Sequence, residues 1–159
     1  MIGFFSRSSS EKNPEGVFEF IKAAEKYGYD ANYFIASDFE TWKPHLVEAV
    51  NSMKNVIYRQ ANERAIDLLP NMDYLIQTSF AEASCEVVHE ALDAGVPVIV
   101  SKIPAFDYIK DGVLGWHIDN VPTRAQIENI FEKIPKITKD VWDEKTDIKT
   151  WTKVLEGKL

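Results

Sequence analysis

One cysteine, Cys85, occurs among the 159 residues, so no internal disulfide can form and the fold rests on its core. Only three histidines are present, His45, His89 and His117, scattered without metal-ligand spacing to Cys85, which argues against a zinc site or a nucleophilic-cysteine site. No apolar run approaches the roughly 20 residues of a membrane span. The opening Met1-Ile2-Gly3-Phe4-Phe5-Ser6 lacks the basic start and long apolar stretch of a secretion signal. A cytoplasmic protein is expected. Basic side chains are also in deficit: 18 against 25 acidic ones give a net charge of -7, which opposes a broad footprint on nucleic acid or an anionic membrane. Any anion site must therefore be local.

What is present is an ordinary globular composition, 45% hydrophobic and 27% charged, without low complexity or internal repeat. A chain of this length fits a single domain, residues 1–159, able to bury roughly 70% of its unfolded surface. Ile2 to Ser6 is a short apolar run, and Asn13-Pro14 is a helix start. Val17, Phe20, Ile21 and Ala24 follow at i, i+3, i+4 and i+7, with Gly28 closing the helix.

Further along, strands are expected at 32–36, 55–58, 74–76, 97–100 and 116–118, and helices at 42–50, 61–69 and 84–94, the second of these stopped by Pro70. Tyr74-Leu75-Ile76 lacks alternation, as a strand buried on both faces does. Such alternation of strands and helices implies an α/β fold, a Rossmann-like parallel sheet with helices on both faces. Residues 123–159 form a C-terminal helical part, with stripes at Ile127, Ile130, Phe131 and Ile134 and then Ile148, Trp151 and Leu155; packing is their expected role.

Two constellations carry chemistry. Arg7 and Lys12 lie in the loop between the first strand and first helix, in the crevice where open α/β sheets bind ligands. Two cations there suit a diphosphate, although taken alone such a pair reads as surface charge. Thr78-Ser79-Phe80-Ala81-Glu82-Ala83-Ser84 leads from a buried strand into a helix whose positive N-terminal end can cradle an anion. Ser84 is an N-cap candidate that leaves the N–H groups around Cys85 and Glu86 facing the crevice; ordinary capping explains it equally well. On one continuous helix Glu82 and Glu90 would lie about 12 Å apart along the axis, too far for a carboxylate dyad. Glu82 is therefore placed in the loop at the helix mouth and Glu90 two turns inside, on different parts of one extended ligand.

Taken together, Arg7, Lys12, Ser79, Glu82, Glu90-Ala91, Gly95, Pro97, Gly112 and Gly115 resemble the C-terminal donor domain of retaining GT-B glycosyltransferases. That large, family 4-like group with a Glu-x7-Glu motif includes sucrose synthases and many lipopolysaccharide mannosyl- and glucosyltransferases. The resemblance covers Gly3 to about Ile118 and implies one half of a GT-B architecture. It implies transfer of a hexose, with retention, from a UDP-, GDP- or ADP-linked sugar to an acceptor hydroxyl, without metal or cofactor. By the same resemblance Arg7 and Lys12 hold the diphosphate and support catalysis, Glu82 contacts the transferred sugar near the reacting centre, Glu90 binds the ribose, and the backbone from Ala83 through Ser84 and Cys85 to Glu86 touches sugar and phosphate.

This sequence departs from that pattern at Ala83 and Cys85, which replace glycines, at Glu86, which adds a negative charge, and at Ile103-Pro104-Ala105-Phe106-Asp107, where a Gly-Gly pair is missing. His89 occupies an apolar position and is read as packing; Gly112 and Gly115 are read as turn residues. Arg59 and Gln60 could border the base. A GT-B enzyme also requires an acceptor-binding domain or subunit, for which the 159 residues leave no room. An excised domain, a split-enzyme subunit and a non-catalytic nucleotide-sugar-binding module all remain open, as does, less well supported, a fragment of a sugar-nucleotide epimerase.

Overall fold

The computed structural model describes residues 1–7, 9–38, 42–61, 65–138 and 141–142. Strand β1 (Ile2–Phe5) leads through a single 3-10 turn (Ser10–Lys12) into α1 (Pro14–Lys26). There follow β2 (Tyr33–Ser37), α2 (Pro44–Ser52), β3 (Val56–Gln60), a 3-10 segment (Ile66–Asn71), β4 (Tyr74–Gln77), α3 (Glu86–Asp93), β5 (Val98–Ser101), a 3-10 turn (Pro104–Phe106), β6 (Gly115–Ile118) and α4 (Arg124–Glu132).

Asn13 starts α1 by accepting the Gly16 N–H on its side chain, Pro14 presets the first helical φ, and Gly28 at φ 85° follows the helix in a conformation that a β-carbon would strain. Val17, Phe20, Ile21 and Ala24 are all buried, as their spacing requires. Full burial of Phe20 and Ile21 is worth about 1.5–3 kcal/mol each.

The strands form one parallel sheet in the order β3-β2-β1-β4-β5-β6. β1, β2, β4 and β5 are buried at every position, which is why they read as continuous apolar runs. One face of the sheet is covered by α1, α2 and α4, the other by α3 and the 3-10 segments, with separate hydrophobic clusters on each side. This is the expected Rossmann-like architecture. Because β1 is flanked by β2 on one side and β4 on the other, the order in which strands are added reverses between β1 and β4, and a crevice opens there at the carboxyl ends of the strands.

Several boundaries differ from expectation. The helix expected at 84–94 begins at Glu86, with Cys85 as N-cap at φ −108° and ψ 85° and no side-chain cap, so Ser84 is an exposed residue ahead of the helix. Contacts of the preceding loop hold residues up to Glu82 out of helical geometry, as described below. Glu90 consequently lies about one turn inside α3 rather than two. Of the helix expected at 61–69, positions 62–64 lie outside the described residues, and the remainder is a 3-10 segment that continues through Pro70. Its rungs Leu68 N–H to Ala65 O and Met72 N–H to Leu69 O flank the proline, whose missing donor interrupts neither.

Gly115 is not a turn residue: it opens β6, and a β-carbon there would lie 1.9 Å from the Val98 carbonyl oxygen. Gly112, at φ 74°, does serve a turn. Ile134 falls beyond α4 and is exposed, because Lys133 leaves helical geometry at φ −131°. Ile148, Trp151 and Leu155 lie outside the described residues. His89 packs edge-on to Tyr108 and against Trp142, a structural role in agreement with the sequence.

Candidate functional site

The crevice between β1 and β4 is built by the two loops that leave those strands, and they are stitched together. Asn13 Nδ2 donates to the Thr78 carbonyl at 3.0 Å while Thr78 Oγ1 donates to the Asn13 carbonyl at 2.7 Å. Phe80 N–H donates to the Glu11 carbonyl at 2.7 Å. Gln77 Nε2 reaches the Phe5 carbonyl at 2.9 Å, and the Ser101 hydroxyl donates to the Ser79 carbonyl, which ties in β5. Asn13 accepts a left-handed backbone, φ 48°, as the price of these contacts.

This stitching brings Lys12 onto Glu82. Lys12 Nζ lies 2.7 and 2.8 Å from the two Glu82 carboxylate oxygens, and the Ser79 hydroxyl donates to Oε1 at 2.6 Å. Both charged side chains are largely withdrawn from water, 18% exposed for Lys12 and 5% for Glu82. Cys85 closes the cluster from the helix side. Burial chiefly, and then the Glu82 carboxylate, push its thiol up to about 12, against a weaker opposing pull from Lys12. That thiol is a buried packing group, consistent with the sequence reading.

The other expected site residues do not join this cluster. Arg7 is exposed at the end of β1, and with Lys12 it helps hold the exposed Glu11 carboxyl below its ordinary value, an effect led by a backbone N–H and the Ser9 hydroxyl. Ser84, Glu86 and Glu90 are exposed along the start of α3, and among the described residues none forms an ion pair with Lys12. Glu86 lies in the first turn of α3, where a negative side chain is favoured by the helix dipole. Arg59 and Gln60 are exposed at the end of β3, with Gln60 Nε2 donating to Asp38 at 2.8 Å.

Thr78 opens the segment that the sequence singled out, but nothing in the sequence shows its reciprocal pairing with Asn13. Only the proximity of Asn13 gives it a role. A hollow of about 410 Å³ lies on the α2 side of the stitched loops, walled by Trp42, Leu46 and Phe80, with the Lys43–Glu15 ion pair at its edge. Among the described residues no three histidine, cysteine, aspartate or glutamate side chains converge as a metal site. No helix among them is long and apolar enough to cross a membrane.

A parallel six-stranded sheet with a crevice at its switch point narrows the choice of family, and comparison with known proteins decides it. Residues 1–149 match the family model described as glycosyl transferases group 1. The chain belongs to that family. Among solved structures, Anabaena HepE in complex with UDP and glucose superimposes with a TM-score of 0.72 at 18% identity, over 98% of this chain and 48% of its own. AviGT4, a glycosyltransferase of avilamycin A biosynthesis, gives 0.67 at 16% identity over 99% of this chain and 52% of its own. The pneumococcal O-GlcNAc transferase GtfA in complex with UDP and GlcNAc gives 0.68 at 16% identity over 98% and 35%. This group 1 domain thus has the fold of one Rossmann-like lobe of a GT-B glycosyltransferase and spans about half the length of AviGT4 and HepE. No curated protein matches it.

Proposed function

We propose that this chain is the donor-binding lobe of a retaining, family 4-like hexosyltransferase, with Glu82 and Glu90 as its Glu-x7-Glu pair. It takes a nucleoside diphosphate sugar and, with an acceptor-binding lobe, transfers the hexose to a hydroxyl group. The observation that carries this reading is the Lys12–Glu82–Ser79 cluster in the crevice between β1 and β4. Structural relatives that hold UDP with glucose or GlcNAc support the ligand class.

The chemistry follows from what must be stabilised. When the bond from the anomeric carbon to the diphosphate breaks, negative charge grows on the departing phosphate. Cations already in place lower the barrier without reorganising at that moment. Arg7 and Lys12 supply them, and the uncapped N-terminal end of α3 adds a positive dipole end. Glu82 faces the transferred sugar, where a carboxylate stabilises positive charge on the ring. Glu90, exposed on α3, accepts hydrogen bonds from ribose hydroxyls.

A second reading, a binding module without turnover, draws on Glu86, whose carboxylate faces solvent at the same helix end and opposes phosphate there. The two agree on binding and differ on transfer. Calorimetric titration with UDP-, GDP- and ADP-linked hexoses tests the shared claim: at least one should bind, and silence from every donor would end both readings. Sugar transfer that appears only after an acceptor lobe is added separates them in favour of the enzyme.

A further inference from the structure

Lys12 is proposed above as a phosphate ligand, yet its ammonium is already paired with a carboxylate. Both oxygens of Glu82 lie within hydrogen-bond distance of Nζ, and the Ser79 hydroxyl donates to one of them, Oε1, as a third contact. An incoming diphosphate meets a neutral ion pair there, not a free cation. Arg7 differs: it is exposed and pairs with no carboxylate at ion-pair distance among the described residues.

We infer that Glu82 is an internal stand-in for the donor phosphate, a latch that holds Lys12 until the diphosphate displaces it. The inference rests on the donor-binding reading. Binding begins at exposed Arg7; the phosphate then takes Nζ from Glu82, and the freed carboxylate, still held by Ser79, turns toward the sugar. The exchange couples occupation of the phosphate position to delivery of the carboxylate to the sugar position. It keeps the ligand-free crevice from holding two uncompensated charges, which is costly for groups so far removed from water.

The latch makes a prediction of unusual sign. Glu82→Gln keeps the shape and a hydrogen-bonding partner for Ser79 but removes the charge that neutralises Lys12. Each sugar-free nucleoside diphosphate, UDP, GDP and ADP, is titrated into wild type and variant, followed by the corresponding donor sugars.

The variant should bind the preferred sugar-free diphosphate at least about tenfold more tightly, the low end of the coupling between close charge pairs. It should gain less, or lose affinity, for the intact donor, whose sugar contact it lacks. Equal or weaker binding of the sugar-free diphosphate by the folded variant overturns the latch while the donor-binding reading stands. If neither protein binds any nucleotide, the underlying reading itself fails.

A wild-type measurement covers the case of a variant that does not fold. The carboxylate carbon resonance of Glu82, followed by NMR, should move when the bound diphosphate takes Lys12 away. A resonance that stays fixed while the nucleotide saturates its site contradicts the exchange.

Discussion

Asn13 and Thr78 hold each other reciprocally, each donating from its side chain to the other's carbonyl, at 3.0 and 2.7 Å. Through this pair the loops after β1 and β4 become one unit, which brings Lys12 within reach of Glu82. Removing either donor leaves a buried carbonyl short of a partner. Thr78→Val should cost about 1–3 kcal/mol. Asn13→Ala, which also removes the α1 cap, should cost about 2–4 kcal/mol. Urea unfolding with unchanged m-value checks both; losses below about 0.5 kcal/mol would show the stitching to be incidental.

The two cations of the first loop should separate in stability while agreeing in binding. Lys12→Met strands the Glu82 carboxylate, only 5% exposed, and should destabilise the fold by about 3 kcal/mol. Arg7→Met alters an exposed side chain and should change stability by less than about 0.5 kcal/mol. Donor affinity should fall on the order of tenfold or more in each, the loss of one charge-assisted hydrogen bond to phosphate. Chemical denaturation with calorimetric titration reads both quantities, and equal stabilities would contradict the burial of the pair.

Much of this architecture was legible beforehand. Continuous apolar strands, the Asn13-Pro14 start of α1 and the Val17-to-Ala24 stripe fixed the elements, because each is a local signal with one physical cause. The start of α3 was not, since the loop ahead of it is held by contacts to Lys12, Glu11 and Ser101, all distant in sequence. For the same reason Lys12 and Glu82 were each recognisable as site residues while their mutual pairing was not. Gly115 was misread because nothing in the sequence reports how closely Val98 approaches.

Alkaline pH should erode stability. Burial first of all raises the Cys85 thiol from 9.0 to about 12 and the Tyr74 hydroxyl from 10.0 to about 12, and raises Tyr33 as well. For groups whose folded values lie above the unfolded ones, the contribution is fully present below the unfolded value and lost as pH climbs through the folded one. Melting temperature should therefore fall between about pH 9 and pH 12, and Cys85→Ala should soften the decline at its lower end. Native Cys85 should also resist thiol reagents at pH 8 until the protein unfolds. Rapid labelling of the folded protein would contradict its burial.

The most direct test of the central claim is a backbone amide NMR titration of the chain with whichever donor sugar binds. Shifts should concentrate at Arg7, Lys12, Asn13, Ser79, Glu82, Cys85 and Glu90, around the crevice between β1 and β4, and leave the amino ends of the strands unmoved. Shifts confined to another surface, or absent under saturating donor, would contradict the assignment of this crevice as the donor site.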